Sequence, residues 1–369
     1  MIRKIVPCLC LMLLLTGCTQ PDNRITVKFA SWGSKSEIEI IKPLIAEFEM
    51  QNPDIKTDFI HIPQNYFQKI HLMLASNTAP DVIFINNLYL PVYSGQLTEL
   101  DKPENIFYPQ ALEALSRDGK LYAIPRDISN MVIYYNKDIF DRNHVPYPQD
   151  NWTFDEFLKT AQKLTNRPNT FGVSFEEDSL YYLPFLMSEG GGIFNIESSG
   201  SQKGLNFYAD LRKKYHAAPM KNESASATMA QMFLQGRLAM HLSGRWLVPK
   251  YRQEAHFDWD AARFPRGSKG SIVPADASGW AIVKSTKHPQ EAKKLVEFLS
   301  SHDSIVKFTQ SGLIVPARKD AAKDLIDGKR PYNAQVFIKT AETSKPTPVS
   351  QNYNEVLDKL KQKLELKFN

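Results

Sequence analysis

Alternating apolar and polar positions begin at residue 25. In "ITVKFASW" (25–32), apolar residues at every second position are the pattern of a half-buried β-strand. The next segment, 36–51, changes to a helical period, with one apolar face that carries Ile38, Ile41, Leu44, Ile45 and Phe48. Ser36 and Glu39 have the spacing of a capping box. Pro43 predicts either a kink or a later start of this helix.

The same two periods continue along the rest of the chain. They predict strands at 54–62, 81–85, 120–125, 131–136, 171–175, 237–242 and 279–283. They predict helices at 66–75, 201–215, 228–235, 289–301, 320–327 and 353–366, and one that opens at Thr153 with a capping box to Glu156. Strands that alternate with helices indicate an α/β fold with mainly parallel sheets.

Length and composition support a globular protein of two domains. A chain of 369 residues with 43% hydrophobic residues exceeds what one core usually serves. The net charge of +5 is spread along the chain, apart from the basic tail "KLKQKLELK". A solvated helix face explains that tail better than nucleic-acid binding, so we expect no nucleic-acid partner.

The first residues have the pattern of a secretory signal. Arg3 and Lys4 precede the apolar run 5–15, and the small residues Thr16 and Gly17 follow it. This run is shorter than the roughly 20 residues that a membrane-spanning helix needs. A short buried helix is the alternative. We expect residues 1–17 to be a signal peptide.

Leu15-Thr16-Gly17-Cys18 also resembles the lipobox of bacterial lipoproteins. The resemblance implies that Cys18 carries lipid, palmitate among its acyl chains, and that residues 18–24 form a lipidated cysteine and a polar tether. Cys8 and Cys10 would leave with the signal, which excludes disulfides and thiol chemistry in the mature chain. The protein is then expected outside the cytoplasm, anchored to a membrane.

Signatures of enzymes and metal sites are sparse. The sequence has no HExxH, GxSxG, Walker A or GxGxxG motif in a supporting context, and its histidines lack metal-ligand spacing. We therefore expect no cofactor, no metal and no catalytic residues. Glu176, Glu177 and Asp178 resemble the paired carboxylates of a glycosidase, although acidic runs are common on surfaces.

Aromatic and small polar residues follow several predicted strands. Such positions are Trp32 to Ser34, Asn86 and Asn87, Asp127 to Asn130, Gly244 to Trp246, and Gly279 with Trp280. In open α/β sheets, ligands bind beyond the carboxyl ends of the strands, so these loops are expected to share a cleft. A pyranose suits this lining, because its C–H face packs on an aromatic ring and its hydroxyls need polar partners. Trp152 is expected to pack in the core.

An ordered set of segments resembles a known family. The segments are "FEMQNPDIKTDFI", "ASNTAPDVIFINN", "DGKLYAIPRDISNMVIYYNKDIFDRNHVPYPQDNWTFDEFLKTAQKLT", "MFLQGRLAMHLSGRW", "ASGWAIVKSTKHPQEAKKLVEFLSS" and "SGLIVPARKD". Together they resemble the extracellular solute-binding proteins of bacterial ABC importers, in the sugar-binding group that includes maltose-binding protein. The resemblance runs from about residue 25 to about residue 320.

The resemblance implies a two-lobed, type II periplasmic-binding-protein-like α/β fold with a hinge and an interlobe cleft. The implied N-terminal lobe holds 25–128 with 279–315, and the C-terminal lobe holds 130–277 with 317–369. The implied ligand-binding residues are Trp32, Ser34, Tyr66, Asn86, Asn87, Asp127, Asp178, Tyr181, Tyr182, Trp246, Asp276, Trp280 and Arg318. The implied function is capture of a carbohydrate by hinge closure and delivery to ABC permease subunits, by a monomer. Asn-Asn-Leu-Tyr after Ile85 departs from maltose-binding protein, which argues against maltose itself.

Four alternatives remain open at this point. Arg126, Arg245 and Arg318 would suit a sugar-phosphate or glycerol-phosphate. The tyrosine pairs Tyr134-Tyr135 and Tyr181-Tyr182 suggest ferric iron, although the first pair lies within a predicted strand. A secreted glycoside hydrolase would cut the sugar, and a plain envelope lipoprotein would bind no small ligand.

Overall fold

A computed structural model describes residues 22–103, 105–224 and 226–369. The predicted signal peptide and Cys18 lie outside these residues. The strands are β1 (Ile25–Ser31), β2 (Ile55–His61), β3 (Val82–Asn86), β4 (Ser116–Arg117), β5 (Lys120–Leu121), β6 (Ile124–Ser129), β7 (Met131–Asn136), β8 (Phe171–Val173), β9 (Leu238–Gly244), β10 (Trp259–Ala262) and β11 (Asp276–Ile282).

The helices cover both sheets. They are α1 (Lys35–Gln51), α2 (Tyr66–Ala75), α3 (Leu90–Tyr93), α4 (Pro109–Ala114), α5 (Lys137–Arg142), α6 (Phe154–Lys163), α7 (Ser179–Ser188), α8 (Ser199–Lys213), α9 (Lys221–Ser224), α10 (Met229–Leu234), α11 (Val248–Glu254), α12 (Pro289–Leu299), α13 (His302–Gln310), α14 (Gln335–Thr343) and α15 (Tyr353–Phe368). Short 3-10 helices lie at Ser94–Gln96, Arg245–Leu247 and Lys319–Leu325.

Two sheets form the centres of two lobes. The first has the order β2-β1-β3-β11-β6, and the second has the order β10-β7-β9-β8. Parallel pairing joins β1 to β2, β1 to β3, and β8 to β9, whereas the other pairs in these sheets are antiparallel. The prediction of mainly parallel sheets is therefore wrong. The antiparallel strands include β6, β7 and β11, which adjoin the passages between the lobes.

The chain passes between the lobes near the cleft. Asn130 is the single residue between β6 of the first sheet and β7 of the second. The segment after α13 runs beside the end of β6, where Pro316 bridges Asp127. β11 begins at Asp276, so the first sheet also includes three residues that the predicted boundary at 279 leaves out.

Separate hydrophobic clusters stabilise each lobe, and a third spans them. One cluster packs α1, α12 and α13 against the first sheet around Phe84 and Trp280. Another packs α6, α7 and α8 against the second sheet around Phe185. The third contains Ile85 of β3 together with Tyr134 of β7, so apolar contacts continue across the hinge.

The predicted elements are largely present, with differences at α1 and near the C-terminus. Helix α1 begins at Lys35, one residue before the expected cap, because Ser34 accepts a hydrogen bond from the Glu37 N–H at 3.4 Å. The helix continues through Pro43, which lies on the exposed face. The predicted helix 320–327 is a 3-10 helix. Several elements were not predicted: helices α3, α4, α5, α7, α9, α11, α13 and α14 and strands β4 and β10.

The start of the described chain is tied to the first lobe. Arg24 donates to Asp22 at 2.8 Å and to Glu49 at 3.2 Å, although residues 22–24 were expected to belong to the tether. Among residues 22–369, apart from the two gaps, no helix is both long enough and apolar enough to span a membrane.

Candidate functional site

The carboxyl ends of strands from both sheets enclose a cavity of about 260 Å³. Residues of the first lobe supply one wall, and residues that follow β9 supply the opposite wall. The side chains that dominate the lining are Trp32, Glu37, Arg126, Asp127, Arg245 and Trp246. This cavity is called the cleft below.

Trp32 presents an aromatic surface to the cleft from the end of β1. Its ring packs 4.3 Å from Phe84, 5.0 Å from Tyr66 and 5.3 Å from Phe67, measured between centroids. These contacts hold the indole in one orientation, while the side chain remains half-buried. A rigid, partly open aromatic ring is suited to stacking against a ligand.

Trp246 supplies the facing lobe's aromatic surface. It lies in the 3-10 helix that follows β9, and its ring rests on the backbone of Gly244. A Cβ atom at Gly244 would lie 1.8 Å from Cζ3 of Trp246. The absence of a side chain at position 244 is therefore what permits this ring orientation.

A buried ion cluster forms the floor of the cleft. Arg126 is paired with Glu37 of α1, and its Nε donates to Asp127 Oδ2 at 2.6 Å. The guanidinium also lies 4.2 Å from the centroid of Phe84. Burial raises the pKa of Asp127 above its usual range, although Arg126 opposes that shift. Arg126 is thus paired with two carboxylates, those of Glu37 and Asp127.

Arg245 is the second cation of the cleft, and its surroundings differ. It is 2% exposed, its Nε donates to the Ile314 carbonyl at 2.8 Å, and its Nη2 donates to the Thr309 carbonyl at 3.3 Å. Within the described part of the chain, its Nη1 has no hydrogen-bond partner. Burial lowers the pKa of Arg245 to about 10, so the side chain is charged at neutral pH.

Asn130 places a further polar atom at the passage between the lobes. Its Nδ2 donates to the Phe337 carbonyl at 3.0 Å, and its side chain is almost fully buried. Its Oδ1 has no partner among the described residues, although Asn130 lines the cleft. Arg126, Arg245 and Asn130 were not among the binding residues that the resemblance implied. Asn130 and Arg245 do lie in loops that were expected to share a cleft, and Arg126 and Arg245 were candidates for binding a phosphate. Their contacts with Glu37 and Ile314 have no local signal in the sequence.

Of the residues predicted to bind ligand, Trp32, Asp127 and Trp246 lie together in the cleft. Asn87 is buried nearby, where its Nδ2 donates to Asp276 Oδ1 at 3.0 Å and thereby joins β3 to β11. Asn86 accepts from the Tyr89 N–H at 3.2 Å in the same turn. Asn86, Asn87 and Asp276 thus support the sheet edge behind the cleft.

Four other residues that were predicted to bind ligand instead make contacts that support the fold. Ser34 caps α1, and Tyr66 is buried with its hydroxyl bonded to the Ala30 carbonyl at 3.0 Å and the Phe84 N–H at 3.1 Å. Trp280 is fully buried in the first-lobe cluster. Arg318 lies away from the cleft, where Nε donates to Asp320 at 3.0 Å. The structure does not bring Trp280 or Arg318 to the cleft cavity.

The remaining predicted residues lie in the second lobe around the start of α7. Asp178 is exposed and caps that helix by accepting from the Leu180 N–H at 2.9 Å. Tyr181 is half-buried, and burial together with Glu176 and Asp178 raises its pKa to about 12. Tyr182 is buried in the second-lobe cluster. None of the three lines the cleft cavity.

The alternative sites are not assembled as their hypotheses require. Arg126 and Arg245 share the cleft, but Arg318 does not, so the three arginines do not converge. Tyr134 donates its hydroxyl to the Gly244 carbonyl at 2.8 Å inside the core, as expected for a structural tyrosine. Glu177 is paired with Arg212 at 3.0 Å. Among the described residues, no group of three or more His, Cys, Asp or Glu side chains is arranged to hold a metal.

Comparison with known proteins decides the family. Residues 43–334 match the family described as bacterial extracellular solute-binding protein. This chain belongs to that family. The family is described as one of binding proteins rather than of enzymes.

This chain is similar over most of its length to characterised relatives. It is 26% identical over 339 residues to the maltodextrin-binding protein of Bacillus subtilis strain 168, which covers 84% of this chain and 78% of the relative. It is 24% identical over 379 residues to the galactooligosaccharide-binding protein of the same strain, which covers 95% of this chain and 88% of the relative.

Solved structures have the same architecture. The ABC substrate-binding protein of Listeria monocytogenes in complex with cycloalternan superposes with a TM-score of 0.85 at 25% identity, over 94% of both chains. The receptor of Streptomyces glaucescens solved with acarbose has a TM-score of 0.82 at 20% identity, covering 94% of this chain and 93% of that one. The predicted two-lobed fold is confirmed.

Proposed function

We propose that this protein captures a carbohydrate in the cleft by hinge closure and delivers it to the permease of an ABC importer. We also propose that Cys18 carries the lipid that anchors the protein to the outer face of a membrane, where it acts as a monomer. The protein binds its ligand without cleaving it, and it needs no cofactor. We propose the lobes expected from the sequence, 25–128 with 279–315 and 130–277 with 317–369, except that β11 brings 276–278 into the first lobe.

The observation that carries the proposal is the composition of the cleft. Trp32 and Trp246 approach it from different lobes, and buried polar atoms of Asn130 and Arg245 adjoin them. A pyranose has an apolar C–H face, which packs on a flat aromatic ring, and hydroxyls, which need hydrogen-bonding partners. The names of the curated relatives, which bind maltodextrin and galactooligosaccharides, support the same ligand class.

Ligand contact with both lobes would favour the closed form, because only that form satisfies both sets of contacts. A micromolar dissociation constant corresponds to about 8 kcal/mol. Two stacked rings at about 1 kcal/mol each, with several hydrogen bonds to charged groups at about 1.5 to 3 kcal/mol each, are of the size required once ordering costs are subtracted.

Isothermal titration calorimetry against a panel of mono- and oligosaccharides tests the proposal. At least one sugar is expected to bind with a dissociation constant near the micromolar range, and small-angle X-ray scattering should report a more compact protein in its presence. A panel without binding would contradict the carbohydrate assignment. A labelled oligosaccharide should remain intact after incubation, and its cleavage would identify an enzyme instead.

A sugar-phosphate is the second candidate, and one observation favours it. Arg245 has no carboxylate within hydrogen-bonding distance in the described chain, and one of its N–H groups is free. The whole cleft nevertheless balances its charges, because Glu37 and Asp127 offset Arg126 and Arg245. A neutral ligand therefore fits better. Competition by inorganic phosphate in the same titration would favour the phosphate alternative.

A further inference from the structure

A second aromatic surface lies beside the cleft on the first lobe. Phe67 of α2 and Tyr89, which precedes α3, stack with ring centroids 3.6 Å apart and an interplanar angle of 11°. Tyr93 of α3 lies nearly parallel to both, at 6.3 Å from Phe67 and 6.4 Å from Tyr89. Its hydroxyl donates to the Phe67 carbonyl at 2.7 Å. Tyr93 is only 3% exposed and braces the other two rings, so Phe67 and Tyr89 supply the accessible part of this aromatic platform.

The platform is continuous with the cleft. Phe67 packs 5.3 Å from Trp32, the tryptophan that lines the cleft from the same lobe. Phe67 and Tyr89 are half-buried, so part of each side chain remains accessible. A ligand that stacks on Trp32 and extends outward along this lobe would meet the platform next.

The cavity over the platform has the chemistry of a saccharide surface rather than that of an ion site. It has a volume of about 530 Å³, and its lining contains no carboxylate and no ammonium or guanidinium group. Gln68, His71 and Asn354 supply its polar atoms. Leu72 and Val92 beside them are 67% and 38% exposed. Apolar rings with hydrogen-bonding groups at their edge suit the two kinds of surface that a sugar ring has.

Both lobes contribute to this cavity. Asn354 is exposed at the start of α15, which packs in the second lobe, whereas the platform belongs to the first. A ligand lying there would touch both lobes, as a ligand in the cleft would. The volume also bears on ligand size, because the cleft alone is smaller than the roughly 300 to 1,000 Å³ of ordinary small-molecule sites.

We propose that the platform of Phe67 and Tyr89, braced by Tyr93, is an additional saccharide subsite, and that the ligand is an oligosaccharide extending from the cleft onto it. This inference rests on the proposed function and makes it more specific. A single ring would occupy the cleft only. Each further ring would gain stacking on the face of Tyr89 that Phe67 does not cover, and a polar contact from the facing Asn354.

Titration of maltodextrins and galactooligosaccharides, each from disaccharide to heptasaccharide, tests the subsite. In the intact protein, affinity should rise with chain length and then level off. Tyr89→Ala should weaken binding of the longer sugars by about fivefold, while the shortest sugar that binds should change by less than about twofold. Tyr89→Phe keeps the ring and should bind all lengths as the parent does. Tyr332→Ala, at an exposed tyrosine that does not line either cavity, is the matched control.

Because Tyr89 is half-buried, Tyr89→Ala could weaken binding through a folding defect. A second variant, at an exposed residue, separates that effect from loss of the subsite. Asn354→Ala removes an exposed side chain from the opposite wall and should also weaken only the longer sugars. Affinity that does not depend on chain length, with both variants like the parent, would overturn the subsite and leave the proposed function intact. No binding of any sugar would overturn both. Variants that bind every sugar normally but lose transport in cells would assign the platform to a protein partner and also overturn the subsite.

Discussion

Nε of Arg245 donates a hydrogen bond to the carbonyl oxygen of Ile314 at 2.8 Å, and this contact crosses between the lobes. Arg245 follows the last residue of β9 in the second sheet, whereas Ile314 packs in the first-lobe cluster. The same guanidinium reaches the Thr309 carbonyl in the last turn of α13, where the helix dipole favours a cation. One side chain thus links the cleft wall to a helix of the other lobe.

Arg245→Met should reduce both stability and ligand affinity. The change leaves the buried Ile314 carbonyl without its donor, which costs about 1 to 3 kcal/mol in the free energy of unfolding. Urea denaturation measures the first effect and calorimetric titration the second. Arg142→Met, at an exposed position in α5, is the matched control and should change neither quantity. An Arg245 variant as stable as the parent would contradict this role.

Trp246→Ala should weaken sugar binding by about tenfold, because a stacked ring contributes about 0.5 to 1.5 kcal/mol beyond its buried area. Trp246→Phe retains an aromatic face and should lose less affinity than the alanine variant. Equal losses for both substitutions would indicate that the indole acts through something other than its flat surface. Calorimetric titration with the tightest sugar of the panel provides the comparison.

Gly244→Ala should reduce the affinity for sugar, although residue 244 does not line the cleft. The added Cβ would lie 1.8 Å from Cζ3 of Trp246, so the ring must move away from its position. Gly95→Ala is the matched control, since a Cβ there meets no atom within 4 Å. Tryptophan fluorescence should shift in the first variant and remain unchanged in the second. Unaltered binding by Gly244→Ala would show that the observed orientation of Trp246 is unimportant for affinity.

Glu176 should make stability depend on pH. Burial, with the nearby Asp178 and Glu177, raises the pKa of Glu176 to about 7, although Arg212 opposes the shift. The folded state therefore holds this proton more tightly than the unfolded state, in which the pKa is near 4.5. The contribution of Glu176 to stability falls as pH rises from about 4.5 to about 7.

Glu176→Gln removes that titration. Relative to the parent, the variant should gain more stability at pH 8 than at pH 5, as measured by urea denaturation. Glu113→Gln, on the exposed side of α4, is the control. A difference between parent and Glu176→Gln that is the same at both pH values would contradict the raised pKa.

Cys18→Ser should release the protein from the membrane. Without the thiol no lipid is attached to residue 18. Stable membrane attachment needs more than one acyl chain, so the variant should no longer be held. Membrane fractionation and labelling with radioactive palmitate would report the change. Persistent membrane association of the variant would mean that another segment provides the anchor.

The secondary structure was accessible from sequence because its signals are local. The alternation of Val27 and Phe29 in β1 and the Thr153–Glu156 capping box in α6 each depend on neighbours a few residues apart, and both are present. The expected cap at Ser36 was wrong by two residues, since Ser34 and Ser36 are both good caps and only the path of the chain into the helix selects between them.

Site residues were harder to predict, because binding depends on which side of a strand a residue faces. Trp32 and Trp246 follow strands and reach the cleft, whereas Trp280 lies within β11 and is buried against the first-lobe helices. The ion cluster of Arg126 with Glu37 joins residues 89 positions apart. Neither residue type nor spacing indicates such a pair.

By itself, the sequence determined most of the long strands and helices, the α/β class and, through its ordered motifs, the family, because these follow from local periodicity and from residues close together in the chain. Only the tertiary structure decided which side chains share the cleft, that β6, β7 and β11 make the sheets mixed, and that Arg245 bridges the lobes. Those relationships depend on the packing of distant segments against one another, and periodicity along the chain carries no information about it.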